Sequence, residues 1–467
     1  MNKPKVFGIV LGLLACFAVL HVAFPYIAPF FGPYLGHSYV WAGIQGLFTN
    51  FTANWSYIFL LALLGLIIYF GVIFIALLGP NHDVKEFYTP EFSIVICAKN
   101  EAALLKRTLD SLVASDYPAE KMQVILVVSN STDDSDKVCE DYAAAHPGID
   151  WEVLADPLEK PGKPSALNYG VSHAKHDFLV IYDAGSILLP STLKNLVTPM
   201  KDEKIDATFG SITVKNWNKN TLTQGILMDY ALVSGGNSFA ELNTKLGKNC
   251  WLYGRNVCIR MSTLKELGGF SEESLTEDLF LASLMNAYKK RVVFVAKAKA
   301  YEMVPSDWEV LKKQRMRWVG GFTGDIPKLL QLKVNNKNIG GPEMMNRFLT
   351  MQFLGNISIW CVFDVAFIIA YLLFGELYLL FWTAICLIFH FGYVLLSIKR
   401  YGDGHFSTLK HFGTVVKIHG FMFTLSTHLP KVINWDATPQ LLTMSDEEVK
   451  QLMDETEVEA PVTKNEE

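Results

Sequence analysis

Charged side chains are missing from the first stretch of the sequence, since residues 6–82 contain no Asp, Glu, Lys or Arg. A soluble domain of this length needs charges on its surface, so their absence excludes one and indicates a membrane-embedded segment. Two apolar runs, 6–31 and 57–79, each have about the 20 residues that a spanning helix needs. We therefore predict two transmembrane helices with an outer loop within residues 1–82. A cleaved signal peptide is the alternative for the first run, but its length and the lack of a small-x-small site favour a retained helix.

The distribution of basic residues predicts the orientation of this segment. Lys3 and Lys5 precede the first apolar run, the link 32–56 has no basic residue, and Lys and Arg are frequent after Lys85. Basic residues collect on the cytoplasmic side of membrane proteins. We therefore expect a multi-pass protein of the cell membrane whose amino terminus and following charged block are cytoplasmic.

A second region poor in charge lies toward the other end of the sequence. Residues 348–375 contain one charged side chain and residues 377–398 contain none, which predicts a transmembrane hairpin within residues 336–444. The stretch 412–429 carries Lys and His residues, so a helix lying on the membrane surface is favoured over a further span. Residues 445–467, with nine acidic and two basic side chains, predict a disordered tail.

Several classes of function are excluded by motifs that the sequence does not have. Its seven cysteines form no CxxC pair and no Cys/His ligand spacing, so no zinc site is predicted. Gly162-Lys163 lacks the other residues of a phosphate-binding Walker loop. The net charge of −5 argues against nucleic acid as a partner. What remains is a charged block, 83–335, whose length suits a single soluble domain.

Strands and helices alternate in the block 83–335. Apolar runs rich in β-branched residues predict buried strands, and apolar residues at helical spacing predict helices between them. The expected strands are 92–97, 123–128, 151–154 and 178–182, and the expected helices include 133–145 and 165–174. This alternation predicts an α/β fold with a mostly parallel sheet and helices on both of its faces.

Polar residues follow the ends of these strands. Glu101 comes after the first strand, Ser129 after the second and Asp183 at the end of the fourth. Because ligands bind beyond the carboxyl ends of parallel strands, we expect a cleft at this edge. A carboxylate such as Asp183, together with a substrate phosphate, is a usual way to hold Mg²⁺ or Mn²⁺. An Asp after a strand is also a common turn former or helix cap, and for Asp183 alone that reading stays open.

A second cluster, Glu277 and Asp278, opens the apolar helix expected over residues 279–288. Two adjacent acids suit general-base catalysis, in which one removes a proton from an acceptor hydroxyl and the other orients it. Capping of the helix is the alternative explanation for either carboxylate.

A third cluster comprises Gln314, Arg317 and Trp318. A guanidinium can pair with a diphosphate, and an indole can stack on an acceptor sugar. The alternative is an amphipathic helix, 308–318, that lies on the membrane surface and directs its basic residues toward lipid headgroups.

In their order and spacing these clusters resemble the family-2 glycosyltransferases over residues 90–330. The flanking apolar segments are similar to those of the membrane-integrated branch that includes cellulose, chitin and hyaluronan synthases. The matching elements are Ala98-Lys-Asn-Glu101, Asn130-Ser-Thr-Asp-Asp134, Gly162-Lys163, Asp183-Ala-Gly185, Thr276-Glu-Asp278 and Gln314-x-x-Arg317-Trp318. The resemblance implies a GT-A-like domain, with a Rossmann-type sheet, inserted between transmembrane helices.

The resemblance also implies a role for each cluster. Asp183 would coordinate a divalent metal on the diphosphate of a nucleotide-sugar donor, and Asp278, beside Glu277, would be the catalytic base. The remaining residues would contact the substrates: Glu101, Lys163 and Ser129 the nucleotide sugar, and Gln314, Arg317 and Trp318 the diphosphate and the acceptor.

Two residues depart from the pattern of the family. Ser129 stands where the family often has an Asp that recognises the nucleotide base, which puts base recognition in doubt. Gly185 replaces the second carboxylate of the family's Asp-x-Asp, which puts the metal site in doubt.

The resulting prediction is a membrane-embedded inverting glycosyltransferase that uses a UDP-sugar, builds a β-linked polysaccharide and, as a further hypothesis, exports it. Transfer of a single sugar to a membrane lipid is the alternative within enzymes, and product length separates the two. A non-catalytic transporter or scaffold with a vestigial transferase domain is the alternative from another class. It is motivated by Ser129, Gly185 and an acidic residue, Asp364, inside an apolar segment.

Overall fold

The computed structural model of the protein describes residues 64–79 apart from 66, 69, 70 and 73, and residues 86–157, 162–234, 237–245, 252–334, 337–338, 357–374 and 377–427. The second predicted span, 57–79, is helical at its described positions up to residue 78. The predicted first span 6–31, the loop 32–56 and the acidic tail 445–467 lie outside the described residues.

A central sheet forms the middle of the described chain. Its strands are β1 Phe92–Ala98, β2 Met122–Val128, β3 Asp150–Ala155, β4 Phe178–Asp183, β5 Ile187–Leu188, β6 Ala207–Val214, β7 Val257–Arg260 and β8 Val292–Glu302. Within the described ranges they make one eight-stranded sheet in the order β3-β2-β1-β4-β7-β6-β8-β5. The short strands β9 Lys333–Val334 and β10 Lys337–Asn338 form a separate pair.

The half of the sheet that carries the predicted strands is parallel, with β1 between β2 and β4 and β3 outside β2. Beyond β4 the sheet is mixed, since β7 is antiparallel to both β4 and β6 while β8 is parallel to β6. Every residue of β2 is buried, as expected for a strand covered on both faces. The prediction of an α/β fold with a mostly parallel sheet is confirmed.

Two apolar cores lie on opposite faces of the sheet. Ile94 and Ile96 of β1 belong to one core, and Val95 between them belongs to the other. This alternation follows from the two-residue period of a strand. The two cores hold the helices of the domain against the sheet and leave the carboxyl ends of β1 to β4 at one open edge.

The helices complete the architecture, and their bounds follow the predicted pattern closely. They are α1 Ala102–Val113, α2 Ser135–Ala145, α3 Lys163–Ser172, α4 Thr192–Val197, α5 Thr221–Leu232, α6 Asn237–Lys245, α7 Met261–Glu266, α8 Glu277–Ala287, α9 Trp308–Leu330, α10 Ile357–Phe374, α11 Leu377–Tyr401 and α12 Phe412–Thr427. Helix α8 begins two residues before its predicted start at 279, so both acids of the second cluster lie in its first turn.

Helix α9 differs most from its prediction, because it continues to Leu330 rather than ending near Trp318. Asp307 caps its first turn by accepting from the backbone N–H groups of Glu309 and Val310 at 2.7 and 3.1 Å. A Cβ at Gly321 would stand 2.7 Å from Thr276 Cγ2. The missing side chain therefore lets α9 pack closely against the segment that precedes α8.

The apolar helices α10 and α11 pack against each other. Among the described residues one helix, Leu380–Tyr401, is long and apolar enough to cross a membrane, and the apolar part of α10, Ile357–Ile369, is shorter. Helix α12 occupies most of the stretch 412–429, for which a surface helix was predicted, and packs on α5, α9 and α10.

Helix α6 joins two apolar segments to the sheet domain. Lys245 Nζ donates to the carbonyl oxygens of Ala76 and Gly79 at 2.9 and 2.8 Å, and Arg400 Nη1 donates to that of Leu77 at 2.6 Å. Arg400 also pairs with Glu241 at 2.6 Å. Both cations thus bind the carboxyl end of the helical segment that stops before Gly79, where the helix dipole is negative.

Candidate active site

The predicted site lies at the carboxyl edge of the parallel half-sheet. Asp183 is the last residue of β4, and the chain turns away at Gly185, whose φ of +97° is one that residues with a side chain rarely adopt. Thr108 of α1 accepts the Gly185 N–H at 2.7 Å and fixes this turn. The Asp183 side chain, 36% exposed, is left open to the cleft.

Lys163 is the centre of the site. It begins α3, and its Nζ lies 2.5 Å from Asp183 Oδ1, 3.6 Å from Glu277 Oε1 and 3.2 Å from the Gly254 carbonyl oxygen. Burial opposes its charge, but the carboxylates of Asp183 and Glu277 raise the pKa of Lys163 above its ordinary value. One ammonium therefore connects β4, α8 and the segment before β7.

Asp278 is fixed by two backbone N–H groups. Gly254 N donates to Oδ2 at 2.7 Å and Leu279 N donates to Oδ1 at 2.8 Å. A Cβ at position 254 would lie 3.0 Å from Lys163 Nζ and 3.3 Å from Asp278 Oδ2, so the absence of a side chain there lets the backbone approach both groups. Beside it, Glu277 is buried, and burial together with the charge of Asp278 raises its pKa, against the opposing effect of Lys163.

The residues around Gly254 hold it in place. Arg255 makes a two-point ion pair with Glu302 at the end of β8. Asn256, in the left-handed region at φ +53°, accepts from the Tyr182 hydroxyl at 2.9 Å and donates to the Ala298 carbonyl at 2.9 Å. Gly254 is thus held in place by two neighbours that are anchored to the sheet.

The turn before α8 is anchored by α9. Ser274 Oγ donates to Asp325 Oδ2 at 2.5 Å and accepts from the Thr276 backbone N–H at 3.1 Å. Burial raises the pKa of Asp325 to about 6, although the Ser274 hydrogen bond and the charge of Lys328 oppose the shift. Helix α9 therefore sets the position of Glu277 and Asp278 as well as carrying the third cluster.

The third cluster lies against the second. Helix α9, which carries Arg317, packs on α8 and through Gly321 on Thr276, and the charge of Arg317 opposes the rise in the pKa of Glu277. Gln314 Oε1, Arg317 Nε and Thr276 Oγ1 are buried atoms with no hydrogen-bond partner in the part of the chain that the structure describes. Buried polar groups are nearly always paired, so these three atoms indicate a place for a polar ligand.

The nucleotide-side residues lie further along the same edge. Glu101 follows β1 and is half-buried, and its pKa is raised to about 7 by burial and then by the charge of Asp183. The neighbouring turn supports it, because Asp133 accepts from the Ala102 N–H at 2.9 Å and Ser135 Oγ accepts from the Glu101 N–H at 3.2 Å.

Ser129 is engaged by a residue that sequence reasoning missed. Its hydroxyl donates to Asp156 Oδ2 at 2.6 Å, and Asp156 follows β3 directly, with its N–H on the Val128 carbonyl at 2.9 Å. A carboxylate is thus present at the end of β2 after all, supplied by the neighbouring strand. The rule that ligands bind beyond strand ends, applied to the third strand, would have found it.

Arg315, also missed, is fully buried inside the third cluster. Its guanidinium pairs with Asp229 at 3.1 Å and lies 4.0 Å from the centroid of the Trp318 ring. The structure therefore brings Lys163 within 3.6 Å of Asp183 and Glu277 and links it to Asp278 through Gly254, and it packs α9, which carries Gln314 and Arg317, against α8. Trp318 is backed by a buried cation that the sequence pattern left unassigned.

The donor groups at Asp183 fit a divalent cation held mainly by the substrate. The described residues contain no group of three or more His, Cys, Asp or Glu side chains that could hold a metal. A hard cation such as Mg²⁺ needs only one or two carboxylates when substrate phosphates and water supply the other oxygens. The exposed carboxylate of Asp183 at the cleft meets that requirement.

The part of the chain that forms this site is similar in sequence to known proteins. Residues 90–321 match the family model described as Glycosyltransferase like family 2. The probable glycosyltransferase YdaM of Bacillus subtilis is 29% identical over 266 residues, 56% of this chain and 61% of the relative. The β-monoglucosyldiacylglycerol synthase of Nostoc is 27% identical over 288 residues, 60% of this chain and 59% of the relative. The poly-β-1,6-N-acetyl-D-glucosamine synthase of Staphylococcus epidermidis is 23% identical over 232 residues, 49% of this chain and 54% of the relative.

Two solved structures also align. The mannosyltransferase PcManGT from Pyrobaculum calidifontis, in complex with GDP-Man and Mn²⁺, has a TM-score of 0.48 at 20% identity, covering 74% of this chain and 97% of that one. Staphylococcus aureus TarS 1–349 in complex with UDP-GlcNAc has a TM-score of 0.39 at 14% identity, covering 72% and 92%.

The sheet domain has the α/β architecture of a GT-A-like glycosyltransferase. Residues 90–321 belong to glycosyltransferase family 2. The resemblance predicted from the sequence motifs is confirmed for this segment, and the chain spans about three-fifths of the length of the first curated relatives it matches.

Proposed function

We propose that this protein is a membrane-bound inverting glycosyltransferase that moves a sugar from a nucleotide sugar to an acceptor hydroxyl. The observation that carries the proposal is the Asp278 carboxylate, whose two oxygens are fixed by the Gly254 and Leu279 N–H groups beside the Lys163–Asp183 pair. A carboxylate aimed in this way at a cleft is suited to take the proton of an attacking hydroxyl.

The donor would lie along the strand ends, with its diphosphate between Asp183 and Arg317. A divalent cation held by Asp183, when bound, would supply neutralisation of the charge on the departing nucleotide. Lys163, whose raised pKa keeps it cationic, would bind the donor in the space between β4 and α8. The unpartnered Gln314 Oε1 and Arg317 Nε would face the polar substrates where diphosphate and acceptor meet.

The acceptor hydroxyl would approach from the side of Gly254. Asp278 removes its proton as the oxygen attacks the anomeric carbon from the face opposite the diphosphate, which inverts the configuration. Glu277 lies beside Asp278 in the chain and 3.6 Å from Lys163 Nζ, so it would help to hold the ammonium next to the base. No covalent sugar intermediate is needed.

A growing β-linked polysaccharide is the acceptor we propose first. The half-buried indole of Trp318 offers a face on which a terminal sugar can stack, and α9, which carries it, packs on α8 and on α12. A UDP-sugar is the proposed donor, and export of the product through the apolar helices is the further part of the proposal.

Transfer of one sugar to a membrane lipid is the second candidate. It is favoured by the similarity to two β-monoglucosyldiacylglycerol synthases, each 27% identical over 288 residues. In that case the apolar helices would bring a lipid hydroxyl to Asp278, and Trp318 would contact the acyl chains or glycerol.

Nucleotide release by the purified full-length protein tests the proposal. The protein is incubated with UDP- and GDP-sugars and Mg²⁺, Mn²⁺ or EDTA, with diacylglycerol or a β-linked oligosaccharide as acceptor, and the products are sized. We expect release with one UDP-sugar and a divalent cation. A long product would support the polysaccharide and a single-sugar lipid the second candidate, whereas no release with any combination would contradict both.

A transporter role for Asp364 is not proposed, because the acid has a partner. Asp364 Oδ2 lies 3.0 Å from His390 Nδ1 across α10 and α11, and the Trp360 ring packs edge-on against His390. The pair gives Asp364 a structural role in the helix hairpin. Asp364→Asn is therefore expected to leave product synthesis unchanged per folded molecule.

A further inference from the structure

Asp229 is a fully buried acid, 0% exposed, in the middle of α5. Its Oδ2 accepts from Arg315 Nη2 at 3.1 Å, and its Oδ1 pairs with His419 Nε2 at 2.8 Å and accepts from Ser234 Oγ at 2.8 Å. One carboxylate thus joins α5 to α9, which carries the third cluster, and to α12, which lies far along the chain.

The proton of His419 has one possible place. Its Nδ1 accepts the Ile357 backbone N–H at 3.2 Å, at the first residue of α10. Nε2 must therefore carry the hydrogen that is donated to Asp229, and the ring is neutral. The cluster is then one cation and one anion, with His419 as the link between Asp229 and the start of the apolar hairpin.

Arg315 transmits this arrangement to the site. Its guanidinium lies 4.0 Å from the Trp318 ring centroid, a cation–π contact within α9. Its Nε and Nη1 have no hydrogen-bond partner among the described residues, so Asp229 and the indole are the groups that stabilise this buried charge. The position of the indole and that of the guanidinium therefore depend on each other.

Helix α12 holds α9 and α5 at further points. Lys417, two residues before His419, lies 4.0 Å from the ring centroid of Trp308 at the start of α9. Gly225 of α5 packs so closely on α12 that a Cβ there would lie 2.5 Å from Thr414 Cγ2. The contact with His419 is thus part of a close three-helix junction rather than an isolated hydrogen bond.

We propose that Asp229 and His419 are positioning residues that fix the Trp318 indole through Arg315, so that α12 sets how tightly the acceptor binds. The proposal rests on the proposed function, in which Trp318 contacts the acceptor, but its structural half can be measured without any transfer reaction. It predicts that loss of the His419 contact changes Trp318 and acceptor binding, and leaves the nucleotide side of the cleft intact.

Two substitutions of His419 separate the effect of the lost hydrogen bond to Asp229 from the effect of side-chain size. His419→Gln keeps an N–H that can donate to Asp229, whereas His419→Phe fills the space and cannot donate. We expect His419→Phe to raise the acceptor KM about tenfold, because Asp229 loses its hydrogen bond from His419 and Arg315 then holds the indole less firmly, with UDP affinity within twofold of wild type. His419→Gln should stay near the wild-type KM.

The second readout is ¹⁹F NMR of the full-length protein labelled with 5-fluorotryptophan, with the Trp318 signal assigned by Trp318→Phe. His419→Phe is expected to shift or broaden that signal, and His419→Gln is expected to leave it in place. If His419→Phe does not fold, His419→Asn replaces it, because an Asn can still accept from Ile357 N but is too short to reach Asp229.

Glu241→Gln is the matched control, because Glu241 is a 3%-exposed acid paired with Arg400 at 2.6 Å, between α6 and α11. It should lower thermal stability without moving the Trp318 signal or the acceptor KM. An unchanged Trp318 signal in His419→Phe, or an equal change in Glu241→Gln, would overturn the proposal. A moved signal with no transfer in any variant would instead count against the proposed function alone.

Discussion

Two clusters of buried charged residues in this protein contain similar side chains but differ in their numbers of acids and cations. Around Lys163, the carboxylates of Asp183, Glu277 and Asp278 face a single ammonium at an open edge of the sheet. Around Asp229, one guanidinium and one neutral imidazole satisfy a single carboxylate inside a helix junction. Counting Arg317, whose charge also acts on Glu277, the first cluster has three acids and two cations, whereas the second has one acid and one cation.

The difference indicates which cluster needs a ligand. An excess of acids beside a cleft is stable only with cations or protons supplied from outside, and strongly shifted pKa values of this kind are typical of functional sites. A balanced buried pair gains nothing from a ligand and mainly fixes the relative position of the elements that carry it. The predictions below test each half of this contrast.

The largest effect is expected at the unbalanced cluster. Asp278→Asn should lower sugar transfer by about 10²–10⁴-fold, because the base is removed while the Gly254 hydrogen bond can be kept. UDP binding, measured by calorimetry, should be unchanged. Asp136→Asn, in the first turn of α2, is the control and should retain full activity. Equal activity of the two variants would show that Asp278 is not the base.

Substitution of Asp229 in the second cluster should lower the stability of the fold. Asp229→Asn leaves Arg315 buried without a counter-charge and should destabilise the fold by about 3–5 kcal/mol. Chemical denaturation in detergent measures this. Asp150→Asn breaks the exposed pair with Lys175 and should cost less than about 1 kcal/mol. A destabilisation by Asp229→Asn of less than about 1 kcal/mol would show that Asp229 is not needed to stabilise the charge of Arg315.

Asp325 adds a pH-dependent test. Burial raises its pKa to about 6, so the native state binds a proton that the unfolded state has lost between about pH 4 and 6. Wild-type stability should therefore fall relative to Asp325→Asn as pH rises through this window, by roughly 1–3 kcal/mol, and level off above it. Unfolding midpoints at pH 4.5 and 7.5 measure the change. A difference of the opposite sign would refute the raised pKa.

The smallest effect on transfer is expected from adding one methyl group at Gly254. Gly254→Ala places a Cβ 3.0 Å from Lys163 Nζ and 3.3 Å from Asp278 Oδ2, so the two groups must move apart by a few tenths of an ångström. We expect transfer to fall about tenfold, since such misplacement costs rate without removing a group. Gly324→Ala in α9, where a Cβ meets nothing within 4 Å, should leave activity unchanged.

The sequence predicted the parallel half of the sheet, because local apolar runs act over short distances, whereas the common donor site of Asp183 and Lys163 was implied only by the family resemblance. It did not predict that Gly321 would extend α9, since a glycine weakens an isolated helix and its benefit here comes from contact with Thr276. The length of α9 is thus a property of packing rather than of propensity.

The links between distant residues were also beyond the sequence pattern. Asp229 and His419 are 190 positions apart and meet only when α12 packs on α5 and α9. Asp156 was overlooked because the resemblance directed attention to Ser129, which it contacts from the next strand. In both cases the missing information was the relative placement of elements, which periodicity does not contain.

The two cations on α6 and α11 have a mechanical consequence. Lys245 and Arg400 donate three hydrogen bonds to carbonyl groups at the end of the helical segment that stops before Gly79. A shift of that segment along its axis by one turn, about 5.4 Å, would break all three. Because Arg400 belongs to α11, that helix is attached to the same end of the segment. These hydrogen bonds fix the position of α6 and α11 relative to the helical segment that ends before Gly79.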